Sequence, residues 1–308
     1  MPPLHHDEVP ISEELVRRLL HDQHPDLSGR TLRLAHEQGT DNVVFRLGDD
    51  LSVRLPRKAS AVPGLLVELA WVPRLAPGLP LPVPIPIARG EPTTGYPFPW
   101  AICRWVPGQP PQDVDDLDPV DTSVRLGRFV HALHHFDTTG GPLAGADTQR
   151  AGALRAYDQV TRAALAEVTA LMTAGRVDPT LFDPAAALDL WEAAVQAPVW
   201  GGAGVWLHRD LYAGNLLARD GQLTGVVDFG GLVVGDPAGN VMAAWHVLPP
   251  PHRRPFLDIV DADEATQLRA RGWVLSQGLL ALPYYLDNHP GMVRMAQRAI
   301  TAALDAEL

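Results

Sequence analysis

Residues 77–99 contain so many prolines that this stretch cannot form a helix. We expect it to run in extended form, with a hairpin at residues 91–95. Short strand-like runs that end in turn residues lie before and after this stretch, up to about residue 105. Beyond residue 105, alanine-rich helical periodicity dominates. The pattern predicts an α+β protein with a β-rich N-terminal lobe, 1–105, and a larger, mostly helical C-terminal lobe, 106–308.

Individual elements follow from the same periodicities. In the N-terminal lobe we predict a leading helix within residues 11–22, with Ser12 as its N-cap. One main helix is predicted at 62–76, where Pro73 should kink or shorten its end. The predicted strands of this lobe are 31–35, 42–47, 51–55 and 100–106. The predicted helices of the C-terminal lobe are 120–136, 149–173, 183–196, 236–247, 263–286 and 291–307, and its strands are 205–207, 216–218 and 223–229.

Composition restricts the class of partner. With 46% hydrophobic and 20% charged residues the chain is typical of a globular protein, and its net charge of −11 disfavours nucleic acid and anionic lipid while attracting cationic small molecules. A single cysteine, Cys103, excludes an intrachain disulfide and fits a cytoplasmic location. No apolar run is expected to approach the roughly 18 residues of a membrane span. The N-terminus has no signal-peptide core, so no membrane role is predicted.

The most informative segment is LHRDLYAGNLLARDGQLTGVVDFGG at residues 207–231. It has the spacing H-R-D-x-x-x-x-N, in which Asp210 precedes Asn215, and it ends in a D-F-G tripeptide that begins at Asp228. Phosphoryl transfer needs a carboxylate beside the attacking hydroxyl and oxygen ligands for Mg²⁺. Asp210 can supply the carboxylate, and Asn215 with Asp228 can supply the oxygen ligands. The joint pattern is far harder to obtain by chance than any of its parts.

This segment resembles the catalytic core of the aminoglycoside phosphotransferase-like family, whose members have a bilobal protein-kinase-like fold. The resemblance extends over nearly the whole chain. Its further elements are the loop Gly39-Thr40-Asp41-Asn42, the helical Glu68, the run Trp105-Val106-Pro107-Gly108, the Gly235-Asp236-Pro237 element and the C-terminal RGWVLSQGLLALPYYL.

The resemblance implies a role for each matching position. Asp210 would position and deprotonate the acceptor hydroxyl, and Asn215 with Asp228 would bind Mg²⁺. The backbone of Arg104 and Val106 would bind the base of ATP or GTP. Five further positions would complete the nucleotide site. They lie in the loop at residues 39–42, the predicted strand 51–55 and the main helix, and they are Gly39, Thr40, Asn42, Arg54 and Glu68.

Three positions depart from the family pattern. Arg54 occupies the strand position where many relatives carry a lysine, and its planar donor fork can still serve phosphate and Glu68. Asn240 stands in place of a usual aspartate, so a salt bridge that supports the catalytic loop is expected to be absent. Arg209 is typical of protein kinases with a phosphorylated activation loop, but only five residues separate Gly230 from Asp236, which disfavours that role.

Histidines and acidic residues outside this core carry weaker signals. His131 and His135 are four apart on a predicted helix, a spacing that zinc can use, but no third ligand is evident in the sequence, so we interpret them and His134 as structural. The acidic stretches near residues 113–118 and 258–264 are interpreted as solvated faces, and the net charge still agrees with a cationic acceptor.

The sequence thus predicts an Mg-dependent enzyme that transfers the γ-phosphoryl group of ATP or GTP to a hydroxyl of a small molecule. An aminoglycoside or another antibiotic, such as a macrolide or a cyclic peptide, is the leading acceptor, which would make resistance the cellular role. One alternative is a metabolite kinase acting on homoserine, an amino alcohol or a sugar. The other is a nucleotide-binding pseudo-enzyme, and the presence of Asp210, Asn215 and Asp228 argues against it.

Overall fold

The computed structural model describes residues 8–35, 41–111, 116–145, 148–305 and 307. By its internal contacts the chain forms two compact units. Unit 1 comprises Met1–Gln109 with Thr224–Leu232, and unit 2 comprises Pro110–Leu223 with Val233–Leu308. The predicted boundary between residues 105 and 106 assigned Thr224–Leu232 to the helical part of the chain, whereas these residues pack with the β-rich part.

Unit 1 is built on one antiparallel sheet of five strands in the order β1-β2-β3-β5-β4. The strands are β1 (Leu32–Leu34), β2 (Asn42–Leu47), β3 (Leu51–Pro56), β4 (Pro86–Gly90) and β5 (Trp100–Arg104). The hairpin between β2 and β3 turns at Gly48, whose φ of 65° lies in the left-handed region that glycine adopts without strain. The α+β class is confirmed.

Three helices accompany this sheet: α1 (Glu13–Gln23), α2 (Pro25–Ser28) and α3 (Val62–Leu75). Helix α1 begins where predicted, because the Ser12 side chain accepts a hydrogen bond from the Leu15 N–H. The apolar face of α1 packs into the core formed by β1, β2 and β3. Pro73 does not end α3, which continues to Leu75 and then tightens into a 3₁₀ turn at Ala76–Gly78.

By length and composition, Ala59–Gly78 is the one described segment that is apolar enough to cross a membrane. The expectation that no run approaches that length is therefore wrong. In the fold, Leu65 packs against Ala101 and Cys103 of β5, and the charged side chain of Glu68 is buried on the same segment. One face of this helix is therefore packed inside unit 1, and the rest of it is not buried.

The proline-rich stretch is extended, as predicted, and contributes strand β4 at the edge of the sheet. Proline is tolerated at an edge because its missing N–H would otherwise face solvent. Gly90 is required beside β5, since a Cβ at this position would lie 1.8 Å from the Trp100 ring. A bridge between Thr93 and Tyr96 closes the predicted hairpin.

Unit 2 is mostly helical. Its helices are α4 (Pro119–His134), α5 (Asp158–Thr173), α6 (Pro184–Gln196), α7 (Ala238–Val241), α8 (Ala243–Val247), α9 (Arg253–Ile259), α10 (Glu264–Tyr285) and α11 (Pro290–Leu304). Its strands β6 (Val205–Leu207) and β9 (Val233–Gly235) pair antiparallel. A second pair, β7 (Leu216–Arg219) and β8 (Gln222–Val226), turns at Asp220 and Gly221, and the unit boundary falls within β8.

Two helix predictions for this unit are wrong in extent. The predicted helix 149–173 begins only at Asp158, because Arg150 has a positive φ and residues 148–157 form turns. The predicted helix 236–247 is divided into α7 and α8. The two differences lie against each other, since the Arg150 and Ala151 carbonyl groups pack on the segment of Asp236 and Gly239.

Candidate active site

In unit 1, Arg54 joins two carboxylates from different parts of the fold. Its Nη1 atom lies 3.0 Å from Glu68 Oε1 on α3, and its Nη2 donates to Asp228 Oδ1 at 2.6 Å. The Arg54 and Glu68 side chains are buried, whereas that of Asp228 is 45% exposed. The predicted pairing of Arg54 with Glu68 is therefore present, and the same guanidinium also holds the candidate metal ligand Asp228.

Burial controls the protonation of this cluster. It raises the pKa of Glu68 from 4.5 to about 7, even though Arg54 and the N–H groups of Phe229 and Gly230 favour the charged form. The pKa of Arg54 is raised by its two carboxylate neighbours despite its own burial. Arg54 therefore stays cationic, while Glu68 is poised to titrate near neutral pH.

The backbone around Asp228 takes an uncommon conformation. Its φ is 65°, in the left-handed region, and it leads into a 3₁₀ turn at Phe229–Gly231. Helix α3 approaches this turn so closely that a Cβ on Gly64 would lie 3.0 Å from the Gly230 carbonyl oxygen. A small residue at position 64 thus allows the first turn of α3 to contact the Asp228 segment.

The predicted nucleotide-binding positions are distributed along the same unit. Gly39 and Thr40 lie outside the described residues. Asn42 begins β2 and is buried, and its Oδ1 has no hydrogen-bond partner among the residues that the structure describes. A buried amide oxygen without a partner is unusual and indicates a group that an absent ligand could satisfy.

Arg104 and Val106 follow the end of β5. The Arg104 N–H donates to the Ile85 carbonyl at 2.9 Å, and the Trp105 N–H donates to Asp50 at 2.8 Å. Within the described ranges, the Val106 N–H has no partner. The sheet therefore uses the first two donors of this segment, and the base-binding role of Arg104 and Val106 stays a prediction.

In unit 2, Asp210 and Asn215 lie in one compact loop after β6. The Asn215 amide donates to the Asp210 carbonyl at 2.9 Å and to its Oδ2 at 3.1 Å. Asn215 is buried, and the Asp210 side chain remains 31% exposed. Two of the three core positions that the motif predicted are thus in direct contact, with the carboxylate accessible to solvent.

Asn240 supports this loop. The sequence analysis expected a supporting salt bridge to be absent, because asparagine stands here in place of an aspartate. The Asn240 Oδ1 accepts from the His208 N–H at 2.8 Å, and its Nδ2 donates to the Trp206 carbonyl at 3.0 Å and lies 3.2 Å from the His134 ring. Asn240 is fully buried. A neutral amide therefore performs through hydrogen bonds what a salt bridge was expected to perform. His134 is structural, as predicted.

Arg150 contacts the predicted base and was missed by the sequence analysis. Its Nη1 donates to Asp210 Oδ1 at 2.5 Å, from a residue with φ of 61°. The Arg150 carbonyl oxygen would lie 2.0 Å from a Cβ on Gly239, so glycine is required there for the two segments to meet. No local pattern indicates this contact, because residues 150 and 210 meet only through the tertiary fold.

One further side chain near Asp210, that of His246, was also missed, whereas Arg209 was singled out as a departure from the family pattern. His246 on α8 donates from Nε2 to Gln277 Oε1 at 3.1 Å, because the amide oxygen can only accept. Burial, and then Arg150, lower the pKa of His246 to about 4, so it is neutral at pH 7. The same two causes lower the pKa of Arg209.

Below the loop, Asp236 and Arg269 form a bidentate ion pair, with Nε to Oδ2 at 2.7 Å and Nη2 to Oδ1 at 3.0 Å. Both side chains are largely buried. This pair connects the Gly235-Asp236-Pro237 element to α10. It gives the aspartate of that element a structural role in unit 2.

We expect Asn240→Leu to destabilise the protein, because the His208 N–H and the Trp206 carbonyl would each lose a buried partner. Such losses cost about 1–3 kcal/mol each, so the free energy of unfolding should fall by about 2–5 kcal/mol in urea denaturation. The exposed Asn288→Leu is the matched control and should change it by less than about 0.5 kcal/mol. Equal effects of the two substitutions would contradict the role of Asn240.

Glu68→Gln should alter how stability depends on pH. Because the pKa of Glu68 is raised on folding, its contribution to stability is present in full below about pH 4.5 and is lost as the pH rises towards 7. The free energy of unfolding of the natural protein should therefore fall relative to that of Glu68→Gln across this window, by about 3 kcal/mol at most. Urea denaturation at pH 5 and pH 7.5 measures the difference, with the exposed Glu167→Gln as control. Parallel pH profiles for the natural protein and Glu68→Gln would refute this.

Comparisons with known proteins identify the family and the fold of this chain. The family model described as "Phosphotransferase enzyme family" matches residues 33–273. No curated protein sequence matches the chain significantly. A solved GDP complex of wild-type aminoglycoside 2′-phosphotransferase-IIIa is 18% identical, with a TM-score of 0.69 over 96% of this chain and 99% of that one. The apoenzyme of macrolide 2′-phosphotransferase MphH from Brachybacterium faecium is 25% identical, with a TM-score of 0.61 and the same coverage.

A third solved structure, of ADP-bound aminoglycoside phosphotransferase APH(2″)-Ib, is 15% identical, with a TM-score of 0.57 over 95% of this chain and 99% of that one. These likenesses show a shared kinase-like phosphotransferase fold. Since the family model covers most of the sequence, including the Asp210 loop and the Asp228 turn, this chain belongs to the phosphotransferase enzyme family.

Proposed function

We propose that this protein transfers the γ-phosphoryl group of ATP or GTP to a hydroxyl of a small molecule. The observation that carries the proposal is the Asp210 loop, in which an accessible carboxylate is held by Asn215 and Arg150. A carboxylate so placed can position a hydroxyl and accept its proton as the bond to phosphorus forms. The nucleotide-binding pseudo-enzyme is disfavoured because each residue of that chemistry is present.

The residues also fit a magnesium ion. The Asn215 Nδ2 is engaged with Asp210, which directs the amide oxygen to be the ligand atom, and Asp228 offers a carboxylate that is half exposed. Mg²⁺ favours such hard oxygen ligands and keeps its remaining waters. When bound, the ion neutralises charge on the β- and γ-phosphates.

The nucleotide would be held by residues of unit 1. The unpaired Val106 N–H and the Arg104 carbonyl can bind the edge of the base, and residues 39–42 can cover the phosphates. Arg54 can donate to an α- or β-phosphate oxygen while Glu68 holds its guanidinium. Asp228 would hold the ion through its exposed carboxylate, and Arg54 would contribute positive charge next to the phosphates.

An antibiotic is the leading acceptor class, with resistance as the cellular role. Solved structures with this fold include aminoglycoside and macrolide phosphotransferases, which supports this class. The net charge of −11 also favours the approach of a cationic acceptor over long range. A cytoplasmic location, where ATP and GTP are available, is part of the proposal.

The direct test is a coupled assay of nucleoside diphosphate release with Mg²⁺, in which ATP and GTP are run in parallel. The acceptors are aminoglycosides, macrolides, tuberactinomycin-type peptides, and the metabolites homoserine, amino alcohols and sugars. Turnover that depends on an acceptor and is abolished by EDTA is expected. Tight nucleotide binding without turnover for any acceptor would instead support a binding module.

Asp210→Asn should lower kcat by about 10²–10⁴-fold, because an amide cannot accept the hydroxyl proton. Binding of Mg-nucleotide, measured by titration calorimetry, should stay nearly unchanged. Asp220→Asn is the matched control, since Asp220 lies in the β7–β8 turn and asparagine tolerates its φ of 53°. Normal turnover by Asp210→Asn would refute the assignment of the base.

Within the second candidate function, a metabolite kinase, the charge around Asp210 favours a sugar as acceptor over homoserine or an amino alcohol, both of which carry an ammonium group. Arg150 pairs with Asp210 directly, and its positive charge helps to lower the pKa values of Arg209 and His246. An ammonium group next to the reacting hydroxyl would meet this cationic environment at short range. A neutral or anionic acceptor, such as a sugar or a hydroxy acid, would not be repelled.

Arg150→Gln should therefore change acceptor preference. For a neutral or anionic acceptor we expect kcat/KM to fall about tenfold or more, the loss of one charge-assisted hydrogen bond, with a smaller fall for an acceptor bearing an ammonium group. Arg155→Gln, an exposed arginine of the same segment, is the control. Equal losses for both kinds of acceptor would leave Arg150 a purely structural role and would remove this support for a metabolite.

A further inference from the structure

Two polar side chains near Asp210, those of His246 and Gln277, have no part in the chemistry assigned above. His246 is on α8, Gln277 is on α10, and both side chains are partly buried. The His246 Nε2 lies 3.1 Å from Gln277 Oε1, so the two helices meet through this hydrogen bond. The carboxylate of Asp210 and the guanidinium of Arg150 both act electrostatically on the His246 ring.

Backbone contacts hold the segment before α8 against the Asp210 loop. Helix α7, which directly precedes α8, carries Asn240, and the Asn240 side chain accepts from the N–H of His208. One residue earlier, Gly239 packs so closely that a Cβ there would lie 2.0 Å from the Arg150 carbonyl oxygen. The chain that leads into α8 is therefore fixed both to this loop and to Arg150.

The hydrogen bond between the two side chains leaves binding capacity on each of them. Because the amide oxygen of Gln277 can only accept, His246 carries its proton on Nε2. The neutral ring therefore has a lone pair on Nδ1, and the Gln277 amide has two N–H donors. Neither nitrogen has a further hydrogen-bond partner among the residues that the structure describes. The pair can thus accept one hydrogen bond from a bound molecule and donate others to it.

The pair is uncharged at neutral pH. Burial, and then the charge of Arg150, lower the pKa of His246 to about 4. An ammonium group that approached the His246 ring would be repelled by the nearby guanidinium of Arg150. A hydroxyl group can donate to Nδ1 without that repulsion. The surroundings of Asp210 therefore suit a molecule that has several hydroxyl groups and no positive charge.

We propose that His246 and Gln277 determine acceptor specificity by binding a second hydroxyl group of a neutral sugar, while Asp210 holds the hydroxyl that is phosphorylated. His246 accepts from the second hydroxyl through Nδ1, and Gln277 orients the imidazole ring and donates to a neighbouring sugar oxygen. A site built to pair with a hydroxyl discriminates against an acceptor that lacks it, because a polar group of the protein is then left without a partner. The inference rests on the proposed function and names the acceptor class within it.

The test combines a substitution in the protein with removal of one hydroxyl from the acceptor. The coupled assay measures kcat/KM for glucose, galactose, mannose and trehalose, and then for the monodeoxy analogues of each sugar that reacts. For the natural protein, loss of the bound hydroxyl should lower kcat/KM by about two- to tenfold, as expected for one neutral hydrogen bond. His246→Phe should lower kcat/KM for the intact sugar by the same factor, and should leave that for the deoxy analogue unchanged.

Two further variants separate recognition of the hydroxyl from folding. His246→Asn keeps a hydrogen-bond acceptor at the δ position of the side chain, so it should still discriminate against the deoxy analogue. His21→Phe replaces an exposed histidine that pairs with Asp22, and should behave as the natural protein does. All of these variants should bind Mg-nucleotide equally, which shows that the fold is intact.

Equal discrimination by His246→Phe and by the natural protein at every hydroxyl would overturn the proposal and leave the proposed function standing. Turnover of glucosamine or of an aminoglycoside, with none of the four neutral sugars, would overturn it in the same way. Absence of turnover with every acceptor would refute the proposed function, and this inference with it.

Discussion

Unit 1 depends on the ion pairs of the largely buried Arg54 guanidinium. A charge in the protein interior is tolerated only when it is paired, and Arg54 is paired with Glu68 from α3 and with Asp228 from the end of β8. One side chain on the central strand β3 therefore positions the main helix and the Asp228 turn together. Removing it would leave the buried Glu68 and the half-exposed Asp228 without their shared cationic partner.

In unit 2, a neutral side chain instead of an ion pair holds the corresponding segment. The loop that carries Asp210 is held by the amide of Asn240, which accepts from one backbone N–H and donates to one backbone carbonyl. Because an amide offers both a donor and an acceptor, it can satisfy both kinds of backbone group at no cost of burying an ion. Asn240 thus holds this loop without a salt bridge.

The electrostatics of the molecule differ between long and short range. A net charge of −11 attracts cations from a distance, but the atoms nearest to the Asp210 carboxylate include the guanidinium of Arg150. Steering by the whole surface and selection at the reacting hydroxyl are separate effects, since the first decays with ionic screening and the second acts at contact. The choice of acceptor depends on the second.

The sequence by itself determined the α+β class, most strands of unit 1 and the core of the site. Alternating apolar residues and turn residues are local signals, and the spacing from Asp210 to Asn215 lies within one loop. The structure brings these two residues into contact within that loop, and Ser12 correctly marked the start of α1.

Only the tertiary structure decided which distant groups meet. Arg150 reaches Asp210, Asn240 supports the loop before it, and Thr224–Leu232 packs with the β-rich unit, although nothing in the adjacent sequence indicates these contacts. The start of α5 at Asp158 has the same origin, since the residues before it are held in turns against Gly235 and Gly239. Local propensity specifies elements, whereas partners and protonation depend on the distances and burial that the folded chain creates.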